Sequence, residues 1–415
     1  MAEVQDTTEN ISSVKYFQGL DELSANKSDA DSLKLIKQKI SDLSNMKNIH
    51  FLFGAGISAG AIPTMKEFIV EIEAKIKDKP QQAETFKKLK ENKNENLEDI
   101  LGILYSKRDY QLGIKVDDKD TDDLIEIIEQ TIFEKINIDL SDASYKAVVD
   151  TYKTFYQKVT YRNKDLSRVN IFTTNNDLFN ERVLDNLNIN YNNGFGGGLD
   201  RFFNPARFGY TFSKKIETSI EKYEALDNMI YLYKLHGSIN WIEKEGNSLF
   251  NIQEIDIRHK GTKPSESVLI YPNPLKQSKS LSSPYTDIIR EFQKKLLLQN
   301  SVLFIIGYSF SDDHLNNIIY QALSSNSSIS IVIFGNYDKP IFKIDDKRIY
   351  KIYGLDESVL SDNVNDKKIH FFKYIVDKFI PNLNENKDVN ILKEFIEKLD
   401  VAKEQKLPEA KEQKL

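Results

Sequence analysis

The chain has no cysteine among its 415 residues. Disulfide bridges are therefore excluded, and so is any zinc site built on thiolates. Histidine is scarce: His50, His236, His259, His314 and His370 lie far apart, and none forms a metal-ligand spacing such as HExxH. No metal is expected. No stretch approaches the roughly 18 apolar residues of a membrane span. The first dozen residues, Met1 to Ser12, are polar and acidic, without the basic start or apolar run of a signal peptide. The simplest location is the cytoplasm. A cationic excess is missing too, because 57 Lys and Arg stand against 63 Asp and Glu, a net charge of −6 with both signs mixed. That balance leaves no footprint for direct binding to nucleic acid or to an anionic membrane.

The length allows roughly two to three domains of about 150 residues, enough to bury a core without staples. Residues 1–30 read as a flexible leader. Leu33, Leu35, Ile36, Ile40 and Leu43 then recur on one helical face. The apolar run Ile49 to Phe53 breaks at Gly54-Ala55-Gly56, the pattern of a buried strand entering a tight turn. Residues 64–160 are mostly helical in period and read as a subdomain inserted after this strand. Further strands are expected at Val169 to Thr173, Ile230 to Leu235, Val302 to Ile306 and Ile329 to Phe334, with helices at Asp287 to Gln299 and Asp313 to Ser324. Residues 240–270 alternate weakly, as a hairpin would. The strand–helix alternation predicts an α/β fold, a Rossmann-like doubly wound parallel sheet. Its domain spans 31–336, followed by a C-terminal extension at 337–400 with a helix around Ile391 to Leu399. A charged tail at 401–415 carries the repeat AKEQKL.

Four strand ends finish in small or polar residues, and in a doubly wound sheet such ends form the ligand crevice. GAGIS at 54–58 combines glycines, which let backbone approach a phosphate, with Ser58 as a helix cap. An ordinary strand-to-helix turn has the same composition. TTNND at 173–177 puts Asn175 and Asp177 just past a strand, as ligand groups or as an N-cap and Asx turn. KLHGS at 234–238 puts His236 at a strand end, where it is a general base or a satisfied, half-buried histidine. GYSFSDDH at 307–314 offers Gly307 and Ser309, with Asp312 or Asp313 to cap the next helix and the other to meet a ribose hydroxyl. His314 reads as structural.

Together these motifs resemble the sirtuin-like family, and its prokaryotic NAD-hydrolysing defence branch more than its deacylases. GAGIS followed by Ile62-Pro63, TTNND, KLHGSINW with the single tryptophan Trp241, and GYSFSDDH stand in family order over about residues 48–336. The resemblance implies that Gly54, Ala55, Gly56 and Ser58 cradle the phosphates of NAD, which is substrate. It implies that Asn175 orients the ribose and the attacking water, and that Asp177 meets the carboxamide. His236 becomes the base, Gly307 and Ser309 lie against the adenosine half, and Asn336 touches the adenine ribose. The implied activity is NAD hydrolysis to nicotinamide and ADP-ribose in antiphage defence. The alternatives are an NAD-dependent deacylase and an NAD- or ADP-ribose-sensing module. Deacylases of the family carry a four-cysteine zinc module and an arginine after the Ile-Pro, where this chain has no cysteine and reads Thr64-Met65-Lys66. Both departures point away from deacylation. The family further implies a homo-oligomer gated by a separate partner, a HerA-type hexameric ATPase before a short Argonaute.

Overall fold

The computed structural model describes residues 13–92, 97–163, 165–216, 222–244, 251–257, 267–269 and 283–383. Two short strands, β1 (Lys15–Gln18) and β2 (Asp21–Glu22), precede helix α1 (Asp29–Leu43) and strand β3 (Asn48–Phe53). Helices α2 (Met65–Ile76), α3 (Pro80–Asn92), α4 (Leu97–Gly113), α5 (Lys119–Ile136) and α6 (Lys146–Val159) follow, then β4 (Val169–Thr173) and α7 (Phe179–Asn186). Next come β5 (Asn190–Asn192), β6 (Phe195–Gly196), β7 (Arg201–Phe203), β8 (Ser213–Ile216), β9 (Lys222–Ala225), β10 (Met229–Lys234), β11 (Gly237–Glu243), β12 (Ile252–Glu254) and β13 (Ser267–Leu269). Helix α8 (Tyr285–Leu296), β14 (Ser301–Ile306), α9 (Asp313–Ser325), β15 (Ile329–Phe334) and β16 (Ile349–Tyr353) complete the alternation.

The main sheet has nine strands in the order β2-β1-β16-β15-β14-β3-β4-β10-β5. The pairings from β16 to β5 are parallel, and β1 joins β16 antiparallel. From β3 the chain proceeds through β4 to β10 on one side, then returns to build β14, β15 and β16 on the other. The direction therefore reverses between β3 and β14, which makes their carboxyl ends the switch point where such sheets take ligands. Both faces are covered. Phe51 and Phe53 of β3 and Phe304 and Ile306 of β14 share one core with α1 and α6. Leu52, Leu303 and Ile305 enter a second core with α8 and α9. This period-2 division explains why the strands read as unbroken apolar runs.

Helices α2 to α5 enclose a third core, with Ile69, Ile72, Ile76, Leu97, Ile100, Leu101 and Leu104 all buried, as their spacing predicts. Ile239 of β11 and Ile257 belong to it, so the helical block rests on the second sheet. That sheet is five-stranded, β13-β11-β12-β7-β6, where a single hairpin is expected. The β11–β12 pair is that hairpin, and β7, upstream of both strands, extends it by pairing with β12.

Three differences from expectation have local causes. Residues 15–18 are not a loose leader, because Tyr16 pairs with Ile352 and is buried against the main core. The sheet likewise passes residue 336, since β16 pairs β15 in parallel. Leu35, placed on the buried face of α1, is 41% exposed, and Ser32 takes its place inside. The helix expected at Ile391 to Leu399 and the tail at 401–415 lie outside the described residues. Among the described residues no helix is long and apolar enough to cross a membrane.

Candidate active site

At the switch point two loops cross with their backbones in contact. A Cβ on Gly54 would lie 2.4 Å from the Gly307 carbonyl oxygen, one on Gly56 2.7 Å from Gly307 Cα, and one on Gly307 2.7 Å from the Ile57 nitrogen. Gly307 also has φ +66°, which side chains disfavour. Gly54 N–H donates to the Ile306 carbonyl at 3.1 Å and Gly56 N–H to the Gly307 carbonyl at 3.0 Å. These two amides thus have protein acceptors, and the glycines close the crossing. The turn Ala55–Ser58 is a short 3-10 helix that leaves Ala55 and Gly56 exposed at the crevice.

Ser58 does not cap a helix. The next α-helix starts at Met65, capped by Thr64 in a capping box with Glu67. Ser58 is buried, and its Oγ donates to Asp177 Oδ2 at 3.2 Å, accepts from Asn175 Nδ2 at 3.2 Å and shares a hydrogen bond with the Tyr152 hydroxyl at 2.9 Å. The Asn175 backbone N–H donates to Thr173 Oγ1 at 3.0 Å, and Asp177 Oδ1 accepts from Phe179 N–H at 3.0 Å. Three of the residues expected from sequence thus meet in one buried network that joins the ends of β3 and β4. Burial pushes the Asp177 carboxyl above the usual carboxylate range, against the opposing pull of Lys234.

Beneath this network lies a buried ion pair. Lys234 Nζ sits 3.0 Å from Glu181 Oε1, and both residues are almost fully enclosed. The ammonium also donates to Ser238 Oγ at 2.7 Å and to the Asn176 and Asp177 carbonyls. One side chain therefore ties the loop after β4 to helix α7 and to the start of β11.

His236 occupies the link between β10 and β11, just before Gly237 with φ +81°. Its Nε2 lies 2.9 Å from Asp312 Oδ2. Of the two aspartates offered by GYSFSDDH, Asp312 is the cap of α9, its Oδ1 accepting from His314 N–H at 3.0 Å and Leu315 N–H at 3.2 Å. Asp313 and His314 are exposed in the first turn. Ser309 Oγ donates to Ser311 Oγ at 3.2 Å. Asn336 follows Gly335 at the carboxyl end of β15, with β14 between it and β3.

Tyr152, Glu181, Lys234 and the Asp312 partnership are absent from the sequence reading. Lys234 carried a signal, a lysine inside the buried run of β10. Tyr152 carried none beyond its place on the apolar face of α6.

Residues 169–356 match the SIR2-like domain. The match spans β4 to β16 and so takes in Asn175, Asp177, His236, Gly307, Ser309 and Asn336, while GAGIS lies before it. This SIR2-like segment supports a sirtuin-like assignment. No curated protein matches the sequence. Among solved structures, one concerned with the mechanism and regulation of Sir2 enzymes is 14% identical, covers 76% of this chain and 93% of its own, and has a TM-score of 0.33. A triple mutant of a Sir2 homologue in complex with 2'-O-acetyl ADP ribose is 11% identical, covers 83% and 94%, and has a TM-score of 0.40. A Sir2 homologue–NAD complex is 12% identical, covers 74% and 86%, and has a TM-score of 0.33.

Proposed function

We propose that the chain binds NAD as substrate at the β3–β14 switch point and hydrolyses its nicotinamide–ribose bond. The observation that carries this reading is the meeting of Ser58, Asn175 and Asp177 in one network, with His236 at the end of the strand beside it. The close glycine crossing fits a nucleotide substrate, because it keeps bulk out of the crevice at Ala55 and Gly56. The cationic nicotinamide ring departs as neutral nicotinamide, taking the electron pair of its bond to the sugar, and a water oxygen bonds the sugar carbon. In this reading Asn175 orients the ribose and the water, and Asp177 meets the carboxamide. His236 accepts the proton that the water loses. Gly307 and Ser309 flank the adenosine half, with Asn336 at its ribose.

Deacylation has less support, since the chain has no cysteine for the zinc module of deacylases. By family analogy the activity serves antiphage defence by NAD depletion. A homo-oligomer gated by a HerA-type ATPase is the preferred assembly, with a short Argonaute as second partner. The test is NAD incubated with the chain, alone and with that ATPase, with nicotinamide and ADP-ribose quantified. Wild type releases both without an acylated peptide, whereas Asn175→Ala and His236→Ala each lower the rate by about 100-fold or more. Undiminished turnover in both variants removes these residues from the reaction. Release only with an acylated peptide restores the deacylase.

A further inference from the structure

We propose that Asp312 is a positioning residue for His236, acting through the imidazole and resting on the NAD-cleaving reading above. Asp312 divides its two carboxylate oxygens between two tasks. Oδ1 accepts the His314 and Leu315 amides that open α9, and Oδ2 lies 2.9 Å from His236 Nε2. A carboxylate only accepts, so the shared hydrogen sits on Nε2 and fixes the tautomer of the neutral ring. The cap fastens the carboxylate to a helix whose inner face is buried in the second core, through Leu315, Ile318 and Ile319. The Tyr308 hydroxyl, donating to Asn316 Oδ1 at 3.0 Å, and Asn316 Nδ2, donating to the Phe310 carbonyl at 2.9 Å, brace the same turn. His236 is thereby referenced to β14 and α9 as well as to its own strand β10. When the ring takes the proton of the attacking water it becomes a cation, and the Oδ2 charge stabilises that cation until the proton passes to solvent. The bond that breaks is carbon to nicotinamide nitrogen, and the bond that forms is carbon to water oxygen.

The double duty makes the two roles separable. Serine caps helices as well as aspartate does but cannot reach the ring, and asparagine, whose one oxygen is taken by the cap, turns its Nδ2 to the ring and can only donate to Nε2. Asp312→Ser is expected to melt within about 3 °C of wild type. Its KM for NAD stays the same while kcat falls about 10-fold or more, and Asp312→Asn, which favours the opposite ring tautomer, falls at least as far. Ring nitrogen NMR of His236 reads the pairing without turnover. Wild type shows the Nε2–H tautomer, and Asp312→Ser shows a mixture. Wild-type kcat in Asp312→Ser, or an unchanged His236 spectrum, overturns the proposal. If wild type releases no nicotinamide, the cleavage reading falls and the spectrum alone decides the pairing. If Asp312→Ser does not fold, Asp312→Asn carries the same kcat test.

Discussion

Lys234 and Glu181 illustrate what a buried charge does at the scale of one residue. The pair is 3.0 Å apart and almost fully enclosed, so each charge has exchanged water for the other, and the ammonium for nearby carbonyls as well. Such pairs contribute little net stability, but removing one member leaves the other uncompensated at a cost of about 3–5 kcal/mol. Lys234→Met is therefore expected to lower unfolding free energy in urea by that amount. Adding Glu181→Leu recovers most of it, and a double variant no more stable than the single would contradict this. The residues legible in sequence were those at strand ends, where glycine, asparagine or histidine interrupts an apolar run. Their partners were not legible, because Tyr152 lies 94 residues from Ser58 and Asp312 lies 76 residues from His236. A side-chain contact across such a separation leaves no local pattern.

At the scale of elements, the crossing of the loops after β3 and β14 depends on missing side chains. Gly307→Ala places a Cβ against the backbone of Gly56 and Ile57 and also strains φ +66°, so no rotamer relieves it. We expect a melting temperature several degrees below wild type. Gly198→Ala serves as the control, since a Cβ there meets nothing within 4 Å. Equal melting of the two would mean that the loops part at little cost. The elements around this crossing were legible because central parallel strands are apolar on both faces, and the helices of the inserted block keep a strict period. The second sheet was not. Its strands are two to seven residues long, and β12 takes its neighbour β7 from outside the hairpin. Short strands of that kind carry too few residues for alternation to register.

At the scale of the whole molecule, acid stability turns on groups scattered through the core. His50 lies wholly inside β3, edge-on to Phe172, and burial with the nearby Lys295 holds its imidazole down to about 3. The folded value lies below the ordinary one near 6.5, so the unfolded chain binds the extra proton between these limits. Stability is thus lost as pH falls from about 6.5 towards 3. Asp177 and Glu254, both raised by burial, act in the opposite sense, contributing stability at low pH that is lost as pH rises. The comparison of wild type with His50→Leu isolates the histidine. The variant is expected to gain up to about 1.4 kcal/mol on wild type for each pH unit below 6.5, measured by denaturant unfolding. A difference independent of pH would show that His50 titrates normally.

The pairing of β1 with β16 sets a timetable for synthesis. Gln18 and its partner Tyr350 are 332 residues apart, so on a ribosome adding about 5–20 residues per second the first strand waits some 20 to 70 s for its neighbour. During that interval the buried side of Tyr16 is uncovered, and in its last part, between the synthesis of β15 and β16, so is the outer edge of β15. An unpaired strand edge templates association with other chains. Nascent chains of this protein are therefore most vulnerable to mispairing with one another just before residue 353 emerges, and a chaperone that shields short apolar strands would be needed in that window.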